Sequence, residues 1–365
     1  MDIGTTSLKA ALVTADGEVV SFCSVPFEEP HDRFVACAWY NAFLNAVAEL
    51  AKNAKEECLV TGIAVSGNGP TVVTDCGLTF RWNEDTSGVS GIIPECARSS
   101  LFIPKILSIK NQFPDVWKKT RHLFSGPEYF IYLLTGEAVT ILPEARFEKA
   151  YWNDEMLAAC GIKKNLLPPF VTTGADCGSL KLDEKLSLNF AENCPVLAGG
   201  PDFVVALIGT GTLQTGRLCD RCGSSEGLNF CTDRPVTGDG LRTLPSAISG
   251  LWNVSYLIPN SGELSETERL NAVEHGINTL RTAAKEAGIT FPSEMSVTGG
   301  QTNDELLLKE KAERLGMKIL RPADNHFVHS ELLGDACAGF TGLGIYESLQ
   351  KAAEKIVRLS VYENL

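Results

Sequence analysis

The chain has 365 residues, 44% of them apolar and 21% charged, with a net charge of −13. That size and balance suit an ordinary globular protein of two domains with a large core. The acidic excess excludes nucleic acid and anionic membrane as partners, because both need clustered Lys and Arg.

No apolar run is long enough to cross a bilayer. Asp2 follows Met1 where a leader would carry basic residues, so a cytoplasmic location is expected. Only Met1 precedes Asp2, so the first strand is expected either to be short or to begin upstream. The 12 cysteines are scattered, and reduced thiols are the expectation. Cys219-x-x-Cys222 with Cys231 has metal-like spacing but lacks a fourth close ligand. His326 and His329 read as surface polar residues.

In chain order, Met1–Val20 predicts two strands. Gly4-Thr5-Thr6 forms a tight polar turn whose N–H groups and hydroxyls suit a phosphate, and Asp16-Gly17 gives a two-residue hairpin signal. Asp2 is placed to hold a hydrated Mg²⁺. A plain hairpin accounts for Gly and Thr equally well. Trp39–Lys52 predicts an amphipathic helix and Val60–Ser66 a buried strand, followed by the loop Ser66–Pro70. Thr71–Thr74 is expected to pair with Thr79–Arg81. Trp82-Asn83-Glu84-Asp85 then sets amides and carboxylates beside an indole, which suits a polyhydroxylated ligand or a solvated loop.

Ile103–Gln112 and Asp115–Leu134 predict helices, with Thr135-Gly136 as a stop. A further helix is expected within Glu148–Pro169. In Pro195–Gly216 an apolar strand runs into a glycine pair, and Asp202 falls where an apolar helix, Phe203–Ile208, begins. A carboxylate there is held ionised by the helix N-terminus. It either caps the helix or serves as a general base at a strand end. Arg217–Asp233 repeats the strand–turn–strand pattern with Gly223-Ser224-Ser225 at its turn, a weak internal duplication. Glu266–Gly288 predicts a long helix. Met295–Val297 predicts a strand entering Thr298-Gly299-Gly300-Gln301, where glycines permit close backbone approach to a ligand. Asp304–Leu315 and Leu332–Leu349 complete the helices.

These segments, in collinear order, resemble the FGGY carbohydrate kinases, most closely their xylulokinase-like branch. Asp2-Ile3-Gly4-Thr5-Thr6 is similar to the first phosphate motif, Val196–Asp202 to the segment bearing the catalytic aspartate, and Gly223-Ser224-Ser225 to the second phosphate motif. Gly299–Gly316 resembles the adenosine motif and its helix, with Leu133-Leu134-Thr135-Gly136-Glu137 as a further match.

The resemblance implies an α/β fold of two actin-like (ribonuclease H-like) ATPase domains with an interdomain cleft, residues 1–195 on the sugar side and 196–365 on the nucleotide side. It also implies ATP and Mg²⁺ as cofactors, and a small ketose (such as a pentulose) or polyol as substrate. Asp202 would remove the proton from the attacking hydroxyl, Asp2 and Asp202 would serve the metal, and Gly299, Gly300, Gln301 and Asn303 the adenosine. Gly67, Asn68, Asn83, Glu84, Asp202 and Phe203 would line the sugar site.

The sequence departs from the family in places. Ser66-Gly67-Asn68-Gly69 stands where xylulokinase-like enzymes carry Gln-Met-His-Gly. Thr86 follows the Trp82 cluster where an arginine is usual, Gln301 replaces a third glycine, and Ser108 a tryptophan. The chain passes almost directly from the Thr237–Leu264 segment to the helix before the adenosine motif, so the second domain is shortened. The alternative implied by these changes is a catalytically impaired relative that binds sugar or nucleotide as a sensor or partner protein.

Overall fold

Leu8 and Ala10 are buried while their neighbours Lys9 and Ala11 are only partly covered, the alternation that makes Ser7–Val13 a half-buried strand. It is one of the sheet strands of a computed structural model that describes residues 1–28, 33–54, 57–181, 186–222, 225–323 and 329–362. The chain divides into two units, Met1–Val205 with Ala338–Tyr346, and Ala206–Cys337 with Glu347–Leu365.

The first unit holds a six-stranded mixed sheet. Its order is Asp176–Ser179, Pro195–Pro201, Ile63–Gly67, Asp2–Ile3, Ser7–Val13 and Val19–Pro26. Ile63–Gly67 runs parallel to both neighbours, and its hydrophobic residues are bound for a doubly covered interior. The helix Trp39–Asn53 buries Trp39, Ala42, Phe43, Ala46, Val47 and Leu50, one stripe at helical spacing, in the same core as Leu8 and Ala10.

The expected helix Asp115–Leu134 is broken in the structure. A short turn, Pro114–Trp117, is followed by the strand Leu123–Phe124, which pairs with Val73 and Thr74. A new helix, Gly126–Thr135, then starts at a capping box between Ser125 and Glu128 with Pro127 in its first turn. Gly136 ends it at φ 80°. The Asp16-Gly17 hairpin is also wider than expected. Thr14 N–H bonds Glu18 O, and Ala15-Asp16-Gly17 form the loop.

The second unit holds a seven-stranded sheet. Its order is Leu241–Pro245, Trp252–Ile258, Glu226–Thr232, Leu218–Cys222, Glu294–Gly299, Lys318–Pro322 and Leu359–Val361. Helices Glu266–Glu286 and Glu305–Leu315 supply Val273, Ile277, Leu280 and Leu308 to a core shared with Leu228, Val254 and Val297. The C-terminal helix expected over Leu332–Leu349 is two helices, Ser330–Gly342 and Leu349–Ile356. Gly344 sits at φ 72° between them, and Ser348 Oγ caps the second by accepting from Lys351 N–H.

The two sheets repeat one topology. In each, a first strand forms an antiparallel hairpin with the second and lies parallel to a later strand on its other side. Asp2–Ile3 does this between Ser7–Val13 and Ile63–Gly67, and Leu218–Cys222 between Glu226–Thr232 and Glu294–Gly299. A glycine ends the later strand in both: Gly67 opposite Ile3, Gly299 opposite Cys222. The duplication suggested by the two small-residue turns is thus present in the strand order.

Candidate active site

Three parallel strands in the first unit end at one level. Register places Asp2 opposite Ser66 and Ser66 opposite Gly200, while Gly67 lies opposite both Ile3 and Pro201. The residues that follow, Gly4, Asn68 and Asp202, therefore leave the carboxyl ends of adjacent strands, where open α/β sheets gather ligands. Asp2 is buried and accepts a hydrogen bond from Ser66 Oγ, 3.3 Å from its Oδ1. Asp202 is half-buried at the start of the helix Asp202–Ile208, and its Oδ1 accepts from the Phe203 amide at 2.7 Å.

Close approach explains the glycines here. A Cβ on Gly67 would sit 2.8 Å from Ile3 Cβ, and one on Gly4 would sit 2.9 Å from Ser7 O. Gly4 N–H bonds Ser7 O, which leaves Thr5 and Thr6 at the exposed tip of a two-residue turn. A relay of polar groups crosses the strand ends. Trp82 Nε1 donates to Thr5 Oγ1 at 3.3 Å, and Thr5 Oγ1 donates to Asn68 Oδ1 at 3.4 Å. The Trp82 indole is 41% exposed and so remains available to cover an apolar ligand face.

Asn83 is exposed, but Glu84 is engaged within the protein. Its carboxylate accepts from Arg81 N–H at 2.7 Å and pairs with the Arg33 guanidinium. That guanidinium also lies 5.4 Å from the ring centroids of both Phe80 and Phe113. Glu84 thus has its cation from far earlier in the chain, a partner that local spacing could not reveal. Buried Lys105 lies near the same carboxylate; burial lowers its pKa and the Glu84 charge opposes the shift.

In the second unit, Gly223 and Ser224 lie outside the described residues. Ser225 Oγ accepts from Asn260 N–H at 3.3 Å. Gly299 has φ 92°, and a Cβ there would meet Cys222 O at 2.2 Å. Gly300–Asn303 forms a 3₁₀ turn leading to the helix Glu305–Leu315, with Asn303 exposed. Gln301 does not project from this turn into solvent alone. Its amide bonds Glu226 and Lys311 beneath the turn.

Sequence spacing missed Lys311 altogether. It occupies the apolar face of its helix beside Leu307, Leu308 and Leu315, and a lysine in such a stripe is the signal that could have found it. Its ammonium lies among Asp220, Cys222 and Glu226, the three side chains whose ligand atoms otherwise cluster closely enough for a metal. Cys219 and Cys222 do not form a chelating pair. An odd spacing along the strand Leu218–Cys222 sends them to opposite faces, and all twelve cysteines are free thiols. Of the two histidines read as surface polar residues, His326 lies outside the described residues. A cavity of about 400 Å³ lined by Thr212, Gln214, Ser296 and Gln350 sits toward the amino ends of the second sheet's strands, away from Gly299.

Residues 97–209 match the N-terminal domain of the FGGY family of carbohydrate kinases. Over that stretch the chain is similar to this family. The xylulose kinase of Bacillus subtilis (strain 168) is 21% identical over 98% of this chain and 90% of the relative. That alignment spans 467 positions against 365 residues here, so the relative carries internal segments that this chain lacks. The xylulose kinase of Staphylococcus xylosus is 25% identical over 58% of this chain, which spans 50% of that relative's length. Among solved structures, xylulose kinase from Lactobacillus acidophilus superposes with a TM-score of 0.78 at 15% identity, covering 99% of this chain and 92% of that one. Plasmodium falciparum glycerol kinase with ADP gives 0.77 at 14% identity, covering 98% and 92%. These likenesses establish the two-domain actin-like, ribonuclease H-like fold. Among the described residues, no helix is long and apolar enough to cross a membrane.

Proposed function

We propose that this protein transfers the γ-phosphoryl group of ATP to a hydroxyl of a small sugar or polyol. The reading is carried by one observation: Gly4, Asn68 and Asp202 leave the carboxyl ends of three adjacent parallel strands at one level, with Asp2 two residues before Gly4 on the first of them. Asp202 is the base. As the hydroxyl oxygen attacks phosphorus, its proton passes to the Asp202 carboxylate, a step that contributes ~10²–10⁴ in rate. Asn68 and the exposed Trp82 hold the sugar, one through its polar side chain and one over a C–H face. Gly67 keeps the strand ends close enough for these groups to converge. Asn83 and Phe203 adjoin them, and Glu84, tied to Arg33, shapes the loop rather than binding freely.

In the Gly4-Thr5-Thr6 turn the N–H and hydroxyl groups of Thr5 and Thr6 are the donors proposed for phosphate oxygens, Gly4 N–H being taken by Ser7 O. Gly223-Ser224-Ser225 is proposed as a second phosphate motif. Gly299, Gly300, Gln301 and Asn303 form the adenosine side. The buried Asp2 carboxylate and that of Asp202 are hard oxygen donors of the kind Mg²⁺ takes, usually through water. When bound with ATP, that ion supplies charge neutralisation at the transferring group.

A second reading, a relative that binds but does not turn over, is favoured by the internal segments missing against the Bacillus subtilis protein. The two readings separate in one assay. Purified protein with ATP and Mg²⁺ is offered a panel of ketoses, aldonates and polyols, and ADP is measured with and without each. Sugar-dependent ADP formation supports the kinase. Sugar or nucleotide binding with no turnover across the panel favours the second reading.

A further inference from the structure

Lys311 Nζ donates to Asp220 Oδ2 at 2.6 Å, Glu226 Oε1 at 2.7 Å and Gln301 Oε1 at 2.9 Å, with Cys222 Sγ at 3.4 Å. An ammonium has three donors, so the three oxygens account for them and the sulfur is a weak fourth neighbour. Gln301 closes the ring, because its Nε2 donates to Glu226 Oε2 at 3.2 Å. The lysine fixes which end of the amide is which, since only the oxygen can face an ammonium. Lys311, Asp220 and Glu226 are all fully buried.

Such a cluster is a poor device for stability alone. Replacing buried ion pairs by apolar residues is often neutral or stabilising, and their best-attested use is to select one arrangement of the elements they join. Here the cluster joins four elements: the strand Leu218–Cys222 through Asp220 and Cys222, the strand Glu226–Thr232 through Glu226, the turn Gly300–Asn303 through Gln301, and the helix Glu305–Leu315 through Lys311. The backbone adds a second point of fixation, where Gly299 abuts Cys222 O. Gln301, larger than the glycine usual at its position, therefore has its side chain drawn below the turn and held there.

We infer that Lys311 is a positioning residue: through Gln301, Asp220 and Glu226 it clamps the turn Gly300–Asn303 to the ends of the Cys222/Glu226 hairpin, and so preorganises the nucleotide-binding backbone. The inference rests on the reading of that turn as the adenosine side. It assigns the ion cluster no chemical step and no bound metal, because the lysine ammonium already fills the position among the three ligand atoms.

The test uses the full chain as wild type, Gln301→Ala and Lys311→Met, with hydrogen exchange read peptide by peptide and MgADP affinity by calorimetry. Gln301→Ala leaves the lysine with both carboxylates and is the variant expected to fold unaltered by circular dichroism and melting. It should speed exchange of peptides containing residues 299–303 and those at 222 and 226, with peptides of the first unit unchanged. It should also weaken MgADP by about tenfold, the scale of one charge-assisted hydrogen bond. Lys311→Met should do both more strongly. Unchanged exchange in Gln301→Ala overturns the clamp. Faster exchange with unaltered ADP affinity overturns its role in nucleotide binding. A wild type that binds no ADP overturns the nucleotide reading itself, and the exchange data still decide whether the clamp exists.

Discussion

Gly299 lies directly against Cys222: the two are register partners on adjacent parallel strands, and a Cβ on Gly299 would stand 2.2 Å from the Cys222 carbonyl oxygen. The glycine also has φ 92°, a conformation other L-residues adopt only under strain. Gly299→Ala therefore meets both a steric and a dihedral penalty. The expected loss is about 2–4 kcal/mol of stability, read as a lower denaturant midpoint. Gly300→Ala is its control, since a Cβ there meets nothing within 4 Å and should cost far less.

Glu128 gives the fold a pH dependence of definite sign. Its carboxylate accepts from Ser125 N–H at 2.7 Å and Ile141 N–H at 2.6 Å, yet burial outweighs both bonds and pushes the pKa up to about 7. The folded protein thus keeps a proton that the unfolded chain releases near 4.5. This contribution is complete below the unfolded pKa and is lost as pH rises through the window from about 4.5 to 7, by roughly 3 kcal/mol in all. Glu128→Gln cannot titrate. It should lose less stability than wild type when urea midpoints at about pH 5 and about pH 7.5 are compared. Equal losses would contradict the assignment.

The thiols should divide by burial. Cys37 and Cys76 are exposed, whereas Cys177, Cys231 and Cys337 are buried and their pKa values are pushed up to about 12 by desolvation above all. A thiol reagent at neutral pH should label Cys37 and Cys76 in a fast phase. The buried thiols should react only on unfolding. Cys37→Ser with Cys76→Ser should remove the fast phase without altering activity.

Trp82 separates binding from folding. Its exposed indole makes a single hydrogen bond, to Thr5, so Trp82→Ala should cost about 1 kcal/mol of stability or less. If it covers a sugar face, the same change should raise the sugar KM by about tenfold and leave the ATP KM unaltered. Trp82→Phe, which keeps the ring and loses the donor, should fall between.

Much of this arrangement was legible because local chemistry announces itself. Gly4-Thr5-Thr6 forms the expected tight turn, Asp202 begins the expected helix, and the repeated hairpin lies where Gly223-Ser224-Ser225 suggested. The misreadings have local causes too. Apolar spacing from Asp115 to Leu134 concealed the strand Leu123–Phe124, although Ser125, Pro127 and Glu128 together mark a helix start. Gly344 and Ser348 likewise divide the last helix. Arg33 and Lys311 were illegible for a different reason. Each acts on partners more than fifty residues away, Arg33 on Glu84 and Lys311 on Asp220 and Glu226, and no periodicity records such a pairing.

Asp202 is proposed to take the proton from the attacking hydroxyl. This role is tested most directly by sugar-dependent ADP formation in wild type and Asp202→Asn, with MgADP and sugar affinities measured on both. Asparagine preserves size and the bond to Phe203 N–H but is a far weaker base. Sugar-dependent turnover is expected in wild type, with a fall in kcat of ~10²–10⁴ in Asp202→Asn that exceeds any loss of MgADP or sugar affinity. Turnover in Asp202→Asn at the wild-type rate would contradict that role.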